Sequence, residues 1–217
     1  MDPLRRRFVA TAGAALVLPL SAAPSVARAQ PAPYSTLRTA LPVEAQDKIE
    51  IVEFFWYGCI HCYNLEPLLE AWIPKLPPDT RFRRVPAVFN ARWGYDAGIF
   101  YAFETLGVLE KLHRPFFDAI HRDRLKTDNL DSLTEWMTKN GVDMRKFDFT
   151  FKSFGVQSKV QRAAQLTSAA QIDGTPALMV HGKYTISADQ GVTREGMLAN
   201  ADRLIPVVRK NIAAATK

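Results

Sequence analysis

The sequence predicts an α/β fold in which a long helical block interrupts the strands. Residues 48–57 are rich in β-branched and aromatic side chains, and a helical pattern and a second strand-like run, residues 81–88, follow them. This order is typical of a βαβ unit with a right-handed crossover. Residues 94–172 read as helices, and two short apolar runs and a last helix close the chain. We therefore expect one sheet with a helical part packed beside it.

The first 29 residues have the three parts of a cleaved secretory signal. A positive start, Arg5–Arg7, precedes an apolar run over residues 8–20, and small residues at Ala27 and Ala29 mark a cleavage site. The run is too short to span about 30 Å of hydrocarbon, so we expect cleavage after Ala29 rather than a membrane anchor. The arginines also fit a twin-arginine signal, so export through the Sec or the twin-arginine route remains open.

The composition after this signal favours a soluble single domain. The remaining 188 residues suit one domain, and the 47% apolar content of the whole sequence supports a packed core. The signal holds four of the 28 basic and one of the 22 acidic residues, which leaves a net charge of +3. Because Lys and Arg are scattered among Asp and Glu, we expect no nucleic-acid partner. No later stretch is long enough to be membrane-inserted.

The first half of the predicted sheet surrounds one helix. Residues 30–46 contain three prolines and read as an extended lead-in, and Lys48–Tyr57 reads as a buried strand. A helix is predicted from Cys59 to about Ile73, where several prolines end it, and Pro67 should kink it. Arg81–Val88 is the second strand candidate.

The later elements are marked by capping residues and by a turn. Asp128 or Asn129 should cap one helix, Asp143 should cap the next, and Thr193 should cap a final helix that runs to about Asn211. Apolar spacing predicts a further helix over residues 156–172. The Gly174-Thr175-Pro176 tripeptide ends this helical pattern. The strands Ala177–Val180 and Tyr184–Ile186 flank His181-Gly182-Lys183, which predicts an antiparallel hairpin at the sheet edge.

The two cysteines, Cys59 and Cys62, point to redox chemistry. A bridge between them closes almost no loop and would stabilise the fold little, so its value must be chemical. A structural zinc site is disfavoured because it needs four Cys or His ligands, and His113, His121 and His181 are distant in sequence. Attachment of c-type haem requires a histidine directly after the second cysteine, where this chain has a tyrosine. We expect neither a metal nor a cofactor.

The position of Cys59 predicts an acidic thiol. It lies where a strand passes into a helix, so its sulfur should face first-turn N–H groups and the positive end of the helix dipole. Cys62 should lie one turn on and be more buried. His61 between them can donate a hydrogen bond or a positive charge toward Cys59. A stabilised thiolate means a stabilised reduced form, which favours an oxidant over a reductant.

Two longer motifs resemble the DsbA family of periplasmic thiol–disulfide oxidoreductases. The first is Glu53–Tyr63, which reads EFFWYGCIHCY, and the second is Gly174–Ala177, which is followed by Val180–Tyr184. The resemblance covers nearly all of the mature chain. It implies a thioredoxin-like fold, of the α/β class, with an inserted helical subdomain. On this basis residues 30–92 and 173–217 form the thioredoxin-like domain, and residues 93–172 form the insertion.

The same resemblance implies roles for individual residues. Cys59 becomes the exposed nucleophile, Cys62 the resolving cysteine, and His61 the residue that tunes the potential. Pro176 is expected to carry a cis peptide bond facing the disulfide, with the Thr175 backbone open to a substrate strand. Glu53 would assist proton movement during disulfide exchange, with Arg81 or Arg83 as its ion-pair partner. The alternative is that Glu53 is a carboxylate with a structural role only. Many family members have Pro at the position of Ile60. Because this difference changes the local backbone, the resemblance does not determine the redox potential.

These features predict an enzyme, a protein disulfide oxidoreductase in the periplasm. Its Cys59–Cys62 disulfide would oxidise reduced exported proteins through a mixed disulfide. The resemblance implies reoxidation by a membrane quinone-linked partner of the DsbB type, and we expect a monomer. Two alternatives remain at this point: a periplasmic disulfide isomerase or reductase, and a peptide-binding, chaperone-like module on the same fold.

Overall fold

The computed structural model describes residues 33–188 and 192–215, so the predicted signal lies outside the described residues. The strands in these ranges are β1 Ser35–Thr36, β2 Ile49–Phe55, β3 Thr80–Pro86, β4 Ala177–Val180 and β5 Tyr184–Ser187. The α-helices are α1 Ile60–Trp72, α2 Ala91–Thr105, α3 Leu109–His121, α4 Leu130–Lys139, α5 Met144–Phe151, α6 Phe154–Ala169 and α7 Arg194–Ala215. A turn of 3₁₀ helix, Ile73–Lys75, follows α1.

The described strands form one mixed sheet in the order β1-β5-β4-β2-β3. β2 runs parallel to β3 and antiparallel to β4, and every residue of β2 is buried. The hairpin of β4 and β5 is confirmed, but its predicted place at the sheet edge is wrong. Ser35 and Thr36, predicted as part of an extended lead-in, pair with β5 and cover that edge. A hydrogen bond from the Leu41 N–H to the Gly182 carbonyl, at 2.8 Å, also holds this segment against the hairpin.

The helices α2 to α6 occupy the chain between β3 and β4, and side-chain caps fix several of their starts. Asn129, not Asp128, caps α4, because its Oδ1 accepts from the Ser132 N–H at 2.9 Å. Asp143 caps α5 as predicted. The Ser153 hydroxyl caps α6, which therefore begins before the predicted residue 156. The proposed domain boundaries themselves stay predictions.

Two apolar clusters lie on opposite faces of the sheet. Alternate residues of β2 point to each side, so Ile51 joins the cluster with α1 and α7, and Val52 joins the cluster with the inserted helices. α1 contributes Leu65 and Leu69 to the first cluster. In the part of the chain that is described, no helix combines the length and the apolar character that a membrane span requires. The central strand is thus held from both sides, and its end is fixed in position.

Candidate active site

Cys59 and Cys62 lie at the start of α1, immediately after the buried strand β2. Cys59 is the N-cap residue, with an extended backbone (φ −87°, ψ 113°). Its sulfur accepts a hydrogen bond from the Cys62 N–H at an N···S distance of 3.4 Å, where Ser or Asp serves in most helices. Cys59 is half-buried, Cys62 is buried, and both thiols are free. Only one sulfur is therefore open to a reaction partner.

The two thiols have opposite acidities. The pKa of Cys59 is lowered from 9 to about 5, chiefly by a hydrogen bond from the Cys62 side chain. The Thr175 side chain and the backbone N–H groups of His61 and Cys62 also support the thiolate, and together they outweigh the burial of the sulfur. Burial raises the pKa of Cys62 well above its ordinary value, and the neighbouring Cys59 adds to this shift. The pair thus combines a thiolate at neutral pH with a buried thiol.

The loop before β4 closes over Cys59. The peptide bond between Thr175 and Pro176 is cis, and the Thr175 carbonyl oxygen lies 3.3 Å from Cys59 Sγ, where it accepts from the thiol form. Thr175 is half-buried and Pro176 is buried. The turn tripeptide identified in the sequence therefore lies directly against the reactive sulfur.

The two residues between the cysteines face outward. His61 is exposed and lines, with Pro176, a cavity of about 290 Å³ whose other wall includes Thr193 and Arg194 at the start of α7. Ile60 is 47% exposed. The backbone N–H of His61 supports the Cys59 thiolate, as the pKa of Cys59 reflects. The described contact of His61 with the cysteine pair is therefore made by its backbone.

Glu53 is fully buried on β2, and its predicted ion-pair partner is wrong. The partner is Arg84, whose Nε lies 3.2 Å from Glu53 Oε2. In the parallel register Glu53 is opposite Arg84, whereas Arg81 and Arg83 point to the other face of the sheet. Arg83 instead binds Glu50. The prediction failed because the sequence does not determine which of the alternating side chains of β3 lie on the same face of the sheet as Glu53.

The acidity of Glu53 is strongly perturbed. Its pKa is raised from 4.5 to about 8, chiefly by burial and next by the Glu66 carboxylate, while the Arg84 guanidinium acts in the opposite direction. Thiolate at Cys59 adds a smaller upward effect, and the Glu53 charge in turn raises the pKa of Cys62. Glu53 therefore holds a proton near neutral pH and is electrostatically linked to both sulfurs.

Comparison with known proteins decides the family. The DSBA-like thioredoxin domain model matches residues 84–201. The thiol:disulfide interchange protein DsbA of Azotobacter vinelandii is 42% identical over 172 residues, which cover 79% of this chain and 80% of that protein. The chain belongs to the DsbA family. DsbA of Pseudomonas aeruginosa is 38% identical over 184 residues, which cover 85% of this chain and 86% of the relative.

Solved DsbA-family structures confirm the predicted thioredoxin-like fold. The crystal structure of Pseudomonas aeruginosa DsbA matches with a TM-score of 0.77 at 37% identity, covering 85% of this chain and 95% of that structure. The oxidoreductase NmDsbA1 from Neisseria meningitidis matches with a TM-score of 0.72 at 27% identity, covering 83% of this chain and 93% of its own. The expected α/β fold with its helical insertion is therefore that of the family.

Beneath the cysteines of this DsbA-family chain lies a buried polar chain that the sequence analysis missed. Glu66 on α1 accepts from Arg84 through two N–H groups, at 3.3 and 2.9 Å. Its Oε1 is also 3.3 Å from Nε2 of His113 on α3, whose Nδ1 is 2.9 Å from the Tyr57 hydroxyl. A sequence signal for Glu66 existed, since it lies four residues after Cys62 on the apolar face of the helix. No local pattern marks His113.

An aromatic stack borders the turn before Cys59. The Trp56 and Trp93 rings stack with centroids 4.2 Å apart, and Trp56 Nε1 donates to Asp96 Oδ2 at 2.8 Å. A Cβ atom on Gly58 would lie 2.4 Å from the Trp56 ring, so only glycine fits there. Phe89 packs on Trp93 and is 42% exposed. Phe89 thus exposes aromatic surface beside the site, whereas the aromatic residues of β2, Phe54 and Phe55, are buried in the core.

Proposed function

We propose that this chain is a thiol:disulfide interchange protein that oxidises cysteine pairs of exported proteins with its own Cys59–Cys62 disulfide. The observation that carries this proposal is the contrast between an accessible sulfur with a pKa of about 5 and a buried one with a raised pKa. A stabilised Cys59 thiolate favours the reduced form, so the disulfide is readily given away. The names of the Azotobacter and Pseudomonas relatives support the same reaction.

The reaction proceeds in two exchanges. A substrate thiolate attacks Cys59 Sγ of the disulfide, the bond between the two sulfurs breaks, and Cys62 leaves as a thiolate that takes up a proton. A second substrate thiolate then attacks the substrate sulfur of the mixed disulfide, and Cys59 leaves as the stabilised thiolate. Two electrons pass from the substrate to the enzyme, and the substrate gains one disulfide.

Glu53 is proposed to supply the proton that Cys62 needs when it leaves. Its raised pKa keeps it protonated near neutral pH, and its charge acts on both sulfurs. A buried thiolate at Cys62 is unfavourable without such a donor, because its own pKa is raised. After the exchange the Glu53 proton is recovered from solvent.

His61, Thr175 and Pro176 are proposed to set the potential and to hold the substrate. The His61 backbone N–H supports the Cys59 thiolate, and its exposed ring stands beside Pro176 at the mouth of the site. The Thr175 carbonyl within 3.3 Å of Cys59 Sγ marks where an extended substrate segment would pair with the backbone. Exposed Ile60 offers an apolar contact for the same segment.

The remaining partners follow from the proposed role. The reduced enzyme requires an electron acceptor, and a membrane quinone-linked reoxidase of the DsbB type fits that need. Residues 1–29 are proposed to direct export by the Sec or the twin-arginine route to the periplasm, where the mature chain acts as a monomer. No bound cofactor takes part in the proposed exchange.

The equilibrium of the Cys59–Cys62 pair with glutathione tests the proposal. We expect a strongly oxidising constant; a value near that of thioredoxin, whose potential is about −270 mV, would instead indicate a reductant. The Cys62→Ser variant should accumulate a mixed disulfide with a substrate peptide. The Cys59→Ser variant should form none, because the remaining sulfur is buried. Oxidative folding activity that survived in Cys59→Ser would contradict the proposal and favour a peptide-binding module.

A further inference from the structure

Two buried carboxylates on different elements compete for one cation. Glu53 on β2 and Glu66 on α1 are 0% and 1% exposed, and both contact Arg84 on β3. A single guanidinium in such a setting balances one buried negative charge, and a second charge has no partner. Near neutral pH the pair therefore favours one carboxylate and one carboxylic acid, and the surroundings decide which is which.

The hydrogen bonds around the two acids are unequal. Glu66 faces three N–H groups, from Arg84 Nε, Arg84 Nη2 and His113 Nε2. Within the described residues, Glu53 faces a single donor, Arg84 Nε at 3.2 Å from Oε2, and this contact lacks the alignment of a full hydrogen bond. Since donors stabilise the ionised form, this geometry places the negative charge on Glu66.

Solvent access acts in the same direction. Glu66, Arg84 and His113 line a cavity of about 720 Å³, and Glu53 does not. Exposed side chains, Arg81 among them, also line it, so the cavity reaches the protein surface. Water in this cavity lowers the desolvation cost of a charge on Glu66 but not of a charge on Glu53.

The Tyr57 hydroxyl determines which nitrogen of His113 carries the proton. Burial raises the pKa of Tyr57 and lowers that of His113, so the phenol is protonated and the imidazole is neutral. A phenol that donates to Nδ1 leaves the imidazole proton on Nε2, where it faces Glu66. The opposite tautomer would direct a lone pair at the Glu66 carboxylate. Rings of Phe55 and Phe117 pack around His113 and hold it in place.

We propose that His113, oriented by the Tyr57 hydroxyl, is a positioning residue that assigns the single negative charge of the acid pair to Glu66 and leaves Glu53 protonated beneath the thiols. This inference rests on the proposed role of Glu53 as the proton donor to Cys62. His113 touches neither sulfur and acts only through Glu66 and Arg84. The charged and titratable groups that act on Glu53 are Arg84, Glu66, Cys59 and Cys62.

The His113→Phe variant tests the charge assignment directly. It keeps an aromatic ring among its neighbours but removes the N–H donor, so the Glu66 carboxylate loses part of its stabilisation and holds a proton more readily. We expect the Glu66 protonation midpoint to rise by about one pH unit, a tenfold change in its proton affinity. Carbon-13 NMR of labelled glutamate carboxyls measures this midpoint in the oxidised protein, and the Glu66→Gln variant assigns the signal.

Two further variants separate hydrogen bonding from packing. His113→Gln retains an N–H donor that can reach Glu66 and should keep the midpoint closer to the wild-type value than His113→Phe does. Tyr57→Phe keeps the ring but no longer fixes the His113 tautomer, so the Glu66 midpoint should also rise. This variant carries the test if His113→Phe fails to fold. Midpoints that stay unchanged in the folded variants, or that shift equally in His113→Gln and His113→Phe, would overturn the inference.

Exchange kinetics distinguish failure of this inference from failure of the proposed function. The rate of substrate oxidation is measured against pH for wild type, Glu53→Gln and His113→Phe. If the Glu66 midpoint moves in His113→Phe but Glu53→Gln reacts at the wild-type rate, the charge assignment holds and the proton-donor role fails. If the midpoint does not move while Glu53→Gln is slow, the role of Glu53 stands and the assignment through His113 is wrong.

Discussion

Acidification of the reduced protein from pH 7 to pH 4 is expected to remove the stability that the Cys59 thiolate contributes. The pKa of Cys59 is about 5 in the folded protein and 9 ordinarily, so folding releases a proton that the unfolded chain retains. A lowered folded-state pKa gives stability that is full above pH 9 and lost as the pH falls through 5. Stability of the reduced form should therefore decrease toward acid.

The size of this effect follows from the interval between the pH and the folded pKa. At pH 7 about two pKa units remain, equivalent to about 2.7 kcal/mol at 1.36 kcal/mol per unit. Because Cys59 is only half-buried, solvent screening reduces the expected contribution to about 1–2 kcal/mol. A change of this size is readily measured by denaturant unfolding.

The assay is urea unfolding under reducing conditions, followed by circular dichroism at several pH values. The Cys59→Ser variant is the reference, because it lacks the titrating group but shares every other pH-dependent contribution. The difference in unfolding free energy between the two proteins should shrink by about 1–2 kcal/mol between pH 7 and pH 4. A difference that is constant with pH would refute the thiolate argument.

Three further changes have defined outcomes. Gly182→Ala should cost about 2–5 kcal/mol in urea unfolding, because Gly182 has φ +64° and a new Cβ would lie 2.2 Å from the Leu41 carbonyl oxygen. Asp143→Ala should cost about 1 kcal/mol in the same assay, because it removes the cap of α5. Glu53→Gln in the oxidised protein should gain up to about 5 kcal/mol over wild type between pH 4.5 and 8, at 1.36 kcal/mol per pKa unit. The raised pKa of Glu53 gives stability that is full below 4.5 and lost as the pH rises through 8.

Matched controls isolate each cause. Gly107→Ala places a side chain at φ +70° with no atom within 4 Å, so it reports the backbone cost without the steric contact. Equal losses for Gly107→Ala and Gly182→Ala would show that the contact with Leu41 is unimportant. Asp143→Asn keeps the capping oxygen and should lose little. A Glu53→Gln stability curve parallel to wild type would show that Glu53 has an ordinary pKa.

The features that local patterns determine were predictable from the sequence. β2 and α1 follow from apolar periodicity, and the β4–β5 hairpin follows from its Gly-containing turn. The acidic thiol of Cys59 could be predicted because a helix start supplies N–H donors to whatever side chain occupies the N-cap. For this part of the site, neighbouring residues in sequence are also neighbours in space.

The rest depends on contacts between distant segments. β1 consists of two residues whose strand character comes only from β5, which lies near the other end of the chain. The pairing of Glu53 with Arg84 depends on the register between β2 and β3, which hydrophobic patterning left open. His113 reaches the network from α3, 47 residues after Glu66, and nothing around it in sequence signals that contact.

The hydrogen bond between Cys59 and Thr175 spans 116 residues of sequence, and this separation affects the order of events during biosynthesis. A ribosome releases the N-terminal part first, so both thiols emerge long before the loop that closes over them. Until strand β4 docks, Cys59 lacks the Thr175 side chain, which is one of the groups that lower its pKa. The acidity of Cys59 is therefore complete only after segments from both ends of the chain have come together.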